Sequence, residues 1–210
     1  MHQKINVAPK TWPIERKNKK FVVVSTHLQK QGIPLLVAMR DILHAVANRR
    51  ELKITLRDGK IKVNNKIIKE DKFPLALMSV LSFGDKNYRV IMNEKRKFSF
   101  DEINAEDANE LTFKVIGKKI LRKGKKQFNL LGGHNITSDK EINVGDSVVL
   151  DLEKNDIKKI LKLERGSHVL VISGRHLGKI GVIKGINNKM TNIDGKDIHF
   201  NVNSDNIMSI

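Results

Sequence analysis

No cysteine occurs among the 210 residues, which excludes disulfides, thiolate nucleophiles and Cys-based zinc sites by count. The longest uninterrupted apolar run, residues 35–39, is five residues long, against roughly 20 for a membrane-spanning helix, and no membrane partner is expected. The opening Met1-His2-Gln3-Lys4 lacks the apolar stretch of a secretory signal, so a cytoplasmic location is expected. Aromatic residues make up only 5% of the chain, too few for base stacking to dominate recognition of a nucleic acid. Acidic residues are also short: 40 Lys and Arg stand against 23 Asp and Glu, a net charge of +17 with an isoelectric point near 10.0. Such a surface attracts polyanions whatever its fold.

Catalytic signatures are missing too. The seven histidines are scattered, and the sequence contains neither HExxH nor Gly-x-Ser-x-Gly. Gly174-Arg175-His176-Leu177-Gly178-Lys179-Ile180 has the outline of a phosphate-binding loop. However, three residues separate its glycines, and Ile180 stands where Ser or Thr would ligate Mg²⁺. No catalytic residue, metal, cofactor or small-molecule substrate is expected.

The charge is uneven. Residues 1–82 hold 17 basic and 6 acidic residues, a net +11; residues 83–155 carry +2 and residues 156–210 carry +4. Residues 1–32 read as a basic arm containing Pro9 and Pro13. Its Trp12 is either an anchor packed on the body or a residue that stacks on RNA.

From Pro34, apolar residues at 35, 36, 39, 42, 43 and 46 recur at helical spacing, leaving Arg40 and His44 on the opposite face. A second helix fits 48–57, with Asn48 as N-cap and Asp58-Gly59 as its end. It places Arg49, Lys53 and Arg57 in one stripe, with no acid at i+4 to neutralise it, and Leu52 and Leu56 on another face. Residues 60–69 alternate around Asn64-Asn65, which predicts a hairpin with one apolar and one lysine-lined face. The segment 83–155 reads as short strands around an acidic 101–110 stretch that is loop-like or briefly helical. Residues 156–210 read as strands flanking a glycine-rich loop that bears Arg175, His176 and Lys179. Candidate phosphate contacts are therefore Arg40, Arg49, Arg50, Lys53, Arg57, Lys60 and Lys62 in the first part, and Arg175, His176 and Lys179 in the last. Lys17, Lys19 and Lys20 are weaker candidates.

The 165–186 segment resembles the KOW motif of ribosomal proteins and transcription elongation factors, and the helix-helix-hairpin at 33–82 resembles the alpha-L RNA-binding domain. These occur here together with Ala8-Pro9-Lys10-Thr11-Trp12-Pro13-Ile14, Ile33-Pro34-Leu35-Leu36-Val37-Ala38-Met39-Arg40-Asp41, Asp71-Lys72-Phe73-Pro74 and Val144-Gly145-Asp146-Ser147-Val148. In this order, the motifs resemble the archaeal and eukaryotic small-subunit ribosomal protein S4e family along essentially the whole chain. The resemblance implies an α+β, multi-domain fold: an αα-ββ RNA-binding domain at 33–82, a central β domain at 83–155 and a KOW domain, an SH3-like β-barrel, at 156–210. It also implies a non-enzymatic role on the ribosome, with small-subunit ribosomal RNA and neighbouring ribosomal proteins as partners. An RNA-modifying enzyme would need a larger catalytic domain, and an elongation factor would bring a different N-terminal domain.

Overall fold

The computed structural model describes all residues except 1, 18, 28–31, 94, 122–123, 155, 188 and 196–197. The chain divides into two compact units, Met1–Asn109 and Glu110–Ile210, mostly β with few helices.

In the first unit the expected 48–57 helix forms as Arg49–Arg57. The Asn48 side chain accepts the Glu51 N–H at 3.0 Å while the Glu51 carboxylate accepts the Ala47 N–H at 2.8 Å, a reciprocal cap. Leu52 and Leu56 are buried beneath it. The helix expected from Pro34 is shorter and tighter in its packing than its periodicity suggested. It runs through Leu35–Val37 into a wider turn at Ala38–Ile42, where the Leu43 N–H reaches back five residues to the Ala38 carbonyl. His44 then takes φ 51°, and the Ala45 N–H closes the end on the Met39 carbonyl. Residues 35–39 are buried on every side, because the first N–H groups of this helix are taken by the carbonyls of Asp71 and Phe73.

The hairpin forms as Ile61–Val63 and Lys66–Ile67, with Asn64 and Asn65 both in the left-handed region, at φ 50° and 61°, as a two-residue primed turn requires. It belongs to a five-stranded antiparallel sheet in the order Lys66–Ile67, Ile61–Val63, Val80–Phe83, Lys86–Met92, Phe98–Ile103. The expected boundary at 82/83 therefore falls inside a strand, and a single apolar core runs from Ala8 to Phe98. The acidic 101–110 stretch is partly strand, as far as Ile103, and then a one-turn helix, Ala105–Ala108.

The described residues among the first 32 do not form a separate arm. The strand His2–Lys4 pairs with Phe21–Val23, and Ala8, Trp12 and Val22 enter the common core. Arg16 holds the turn by donating to the carbonyls of Ile5, Ala8 and Pro9. Trp12 resolves as an anchor: it is 2% exposed and its Nε1 donates to the Gly32 carbonyl at 3.1 Å.

The second unit contains two five-stranded antiparallel sheets, each over its own core. The first has the order Asn135–Thr137, Lys126–Leu130, Glu110–Ile120, Ser147–Asp151, Asp156–Leu161. The strand Asp156–Leu161 pairs with Ser147–Asp151, so the expected start of the last domain at 156 cuts this sheet. The second has the order His199–Asn203, Met190–Gly195, Ile180–Asn187, His168–Val171, Ile207–Ser209. There a Cβ on Gly181 would meet Ile193 Cγ2 at 2.5 Å and the Asp194 carbonyl at 2.6 Å, so only glycine allows the strands to close at that pair. Lys114 joins the sheets, its ammonium donating to the carbonyls of Ser204, Asp205 and Ile207 at 2.8 Å each.

Candidate nucleic-acid interface

The cap and the buried Leu52 and Leu56 turn the opposite face of Arg49–Arg57 outward, leaving Arg49, Arg50, Lys53 and Arg57 exposed. Spacing on the helix finds no acid for Arg49, but the fold supplies one 22 residues away. The Arg49 guanidinium pairs with Asp71, whose carboxylate is mostly buried, and this ties the helix to the loop that caps its predecessor. Asp71→Asn should loosen that joint and free Arg49, lowering stability by about 1–2 kcal/mol while leaving RNA affinity unchanged or raised. Urea unfolding together with RNA titration reads both effects, and a fall in affinity at unchanged stability would contradict this assignment. Arg50, Lys53 and Arg57, at i, i+3 and i+7, have no ion pair among the described residues.

Arg40 is only partly exposed and forks onto Asp41, Nε to Oδ1 at 3.0 Å and Nη2 to Oδ2 at 2.7 Å. That hydrogen bonding raises its pKa against the opposing effect of burial. Lys19 reaches the same carboxylate at 3.8 Å. Both cations are thus partly neutralised by Asp41.

Lys60 and Lys62 line a groove of about 470 Å³ whose other walls include Asn65, Ser82, Asn87 and Asn109. Lys62, Ser82 and Asn87 are aligned across three neighbouring strands and form its polar floor. These amide and hydroxyl groups escaped the sequence reading, because only the strand register brings residues 62, 82 and 87 together. Lys60 also stands 3.5 Å from Asp58, with both side chains well exposed, a weak surface pair.

In the second unit the glycine-rich loop is closed by backbone bonds, Gly178 N–H to Val171 O at 2.8 Å and Val171 N–H to Lys179 O at 2.9 Å, with Gly174 and Gly178 at φ 90° and 84°. This geometry gathers His176 and Lys179 about one buried ring. His176 stacks on Phe200 with centroids 4.5 Å apart, and the Lys179 ammonium lies 5.5 Å from the centroid of the same ring. Arg175 is exposed on the same loop. On the neighbouring strands Asp194 pairs with Lys184 and His199, and the Lys184 hydrogen bond leads in holding its carboxyl below the usual range.

Taken together, the arrangement presents cations on rigid elements and can bind phosphate. Among the described residues no group of three or more acidic or histidine side chains could hold a metal ion. No helix of the described residues is long and apolar enough to cross a membrane.

Comparison with known proteins places the chain among relatives. The model of ribosomal family S4e matches residues 84–157, and the KOW motif matches residues 165–195. The small ribosomal subunit protein eS4 of Methanosphaera stadtmanae is 34% identical over 190 residues, covering 88% of this chain and 79% of that protein. Its counterpart from Archaeoglobus fulgidus is 36% identical over 189 residues, with the same two coverages. The crystal structure of the 30S ribosomal protein S4e from Thermoplasma acidophilum superposes with a TM-score of 0.74 at 26% identity, covering 86% of this chain and 95% of that one.

Proposed function

This chain belongs to ribosomal family S4e, and from that premise we propose that it binds ribosomal RNA of the small subunit as a structural component, chiefly through phosphates and RNA shape. The family is a ribosomal structural one, and the chain is not an enzyme. Partners are the small-subunit RNA and neighbouring small-subunit proteins, and the place of action is the cytoplasmic ribosome. The functional division we infer is that of the resemblance, an RNA-binding αα-ββ part, a central β part and a KOW barrel, with Ala8, Trp12 and Val22 packed in the same core as the first.

The observation that carries the reading is the exposed face of Arg50, Lys53 and Arg57, without acidic partners among the described residues, in the most basic of the three regions, residues 1–82. A helix face of this kind releases counterions when it meets a phosphate backbone, so affinity should fall steeply with salt. Arg49, Arg40, Lys60 and Lys62 add to that field. Arg175, His176 and Lys179 form a second contact on the KOW loop, where positive-φ glycines let a backbone approach closely.

Replacing Arg50, Lys53 and Arg57 with Gln should change stability by no more than about 0.5 kcal/mol per site. RNA affinity should drop across sequences, and the slope of log K against log salt should shrink by about 0.7–0.9 per lost contact. Truncating the buried Leu52 to Ala serves as control, costing about 2–5 kcal/mol and impairing binding only through unfolding. A folded triple variant with unchanged affinity and slope would reduce this face to a solvated helix surface.

A further inference from the structure

The second unit contains a concentration of charge that regional averages conceal. Six basic residues, Lys118, Lys119, Arg122, Lys123, Lys125 and Lys126, fall within nine positions that contain no acid, and the rest of 83–155 is left net negative. The fold places Lys118, Lys119 and Lys126 on the paired strands of one hairpin with Lys125 beside them, while Arg122 and Lys123 lie outside the described residues. Strand Glu110–Ile120 pairs with Ser147–Asp151 only along its first five residues, Glu110 to Lys114. A bulge between Val115 and Gly117 then redirects it, and Gly117 to Ile120 pair only with Lys126 to Asn129. The Leu121 N–H closes on the Lys125 carbonyl at 2.8 Å, and Gly124 takes φ 75°.

From Gly117 to Ile120 the outer side of this strand has no paired strand among the described residues and forms a sheet edge. Lys118, Lys119 and Lys125 are exposed on or beside it, with no ion pair among the described residues. Two large apolar side chains are exposed in the same strand, Ile116 at 54% and Ile120 at 71%. Lysines on an edge strand commonly do no more than block strand-to-strand association. Two exposed isoleucines interleaved with them do not serve that purpose, since bare apolar surface on an edge promotes association. Lys118 and Ile120 lie on one face of the strand, the Lys118 ammonium 5.6 Å from the centroid of Phe128, and Lys119 lies on the other, a mixed cationic and apolar edge that suits a polyanion whose charged groups are spaced by apolar faces.

We propose that the edge strand from Ile116 to Ile120, with Lys125 and Lys126 beside it, is a further RNA-docking surface, one that takes the sugar–phosphate backbone of a helical RNA segment, with the lysines on phosphates and Ile116 and Ile120 against ribose. The wide, shallow groove of an RNA helix, with its riboses at the rim, is accessible to such an edge. Four residues of edge strand span about 13 Å, enough for two to three successive phosphates. This surface rests on the ribosomal-RNA reading but uses none of the residues that carry it.

The test uses the full chain and a 20-base-pair RNA duplex, comparing wild type, a variant with Lys118, Lys119, Lys125 and Lys126 changed to Gln, and the Arg50, Lys53, Arg57 variant. The hairpin variant should keep its thermal midpoint, lose ten-fold or more in affinity near 0.1 M salt, and shed two to three units of salt slope. Ile120→Thr should weaken binding several-fold without changing the slope, since it carries no charge. A folded hairpin variant that binds as tightly and as steeply as wild type, while the helix variant does not, overturns this inference and leaves the first RNA surface standing. No RNA binding by wild type overturns both. Binding of a polyglutamate peptide that the hairpin substitutions abolish, with duplex affinity unaffected, would reassign the edge to an acidic protein segment and likewise overturn the inference.

Discussion

Replacing Lys114 with methionine will destabilise the second unit by about 3 kcal/mol or more, although Lys114 carries no recognisable motif. Its side chain is 5% exposed, and its three donors are all used, on the carbonyls of Ser204, Asp205 and Ile207. These carbonyls lie where the chain turns from a short 3₁₀ segment, Ser204–Asn206, into its last strand. Methionine preserves the length of the stem but leaves three acceptors facing apolar matter, each costing about 1–3 kcal/mol where water cannot replace the donor. Arginine will not rescue the loss, because three carbonyls converging on one nitrogen suit an ammonium and not a planar fork. Urea unfolding followed by circular dichroism measures this, and a loss below about 1 kcal/mol would show that the contact is dispensable.

The same lysine gives a pH signature. Burial lowers its pKa from 10.5 to about 8, against the opposing charge of Asp205. The folded pKa lies below the unfolded one, so between about 8 and 10.5 the unfolded chain holds more protons and stability rises with pH. Below that window the penalty of burying the charge is constant. The difference between wild-type and Lys114→Met stability should therefore widen across the window and be level below it. A flat difference throughout would mean that Lys114 titrates alike in the folded and unfolded chain.

Trp12→Ala will cost about 3–5 kcal/mol, the range for a large aromatic removed from a close-packed core. The ring is sealed among the residues that also bury Leu35, Leu36 and Met39, and Nε1 satisfies the Gly32 carbonyl. Trp12→Phe should recover most of the packing yet remain about 1 kcal/mol short, since the carbonyl loses its donor. RNA affinity, measured where each variant is fully folded, should be unchanged, because a ring 2% exposed offers no face to a base. A selective loss of RNA affinity at unchanged stability would return Trp12 to the stacking role that its position in a basic segment also permits.

Several elements were legible before any coordinates. Asn48 and Asp58-Gly59 punctuate a helix whose leucines keep helical spacing, and Asn64-Asn65 is a turn signal that works through local backbone preference alone. The words that carried the family resemblance prove to be structural hinges. Asp71 holds Arg49 and, through its carbonyl, caps the helix at Leu35. Asp146 takes the N–H groups of Asn143 and Leu163 on its two oxygens, with Gly145 beside it at φ 102°. The domain limits at 82/83 and 155/156 misplaced two strands, because the pairings of Val80–Phe83 with Lys86–Met92 and of Ser147–Asp151 with Asp156–Leu161 cross them, and periodicity within a segment does not tell which strand is its neighbour.

Composition, capping and turn chemistry, and motif order determined by themselves that this is a basic, cysteine-free protein of the S4e family with a capped cationic helix and a glycine-rich loop. These properties depend on residues close together in the chain, where backbone preference and side-chain spacing act directly. The tertiary structure alone decided that Arg49 is neutralised by Asp71, which lysine is buried as a staple, and that the strand carrying Lys118 and Lys119 leaves its neighbour to become a sheet edge. Ion pairing and burial depend on distance in space, and a chain that folds back on itself brings residue 49 to 71 and 114 to 207 at separations that no local pattern encodes.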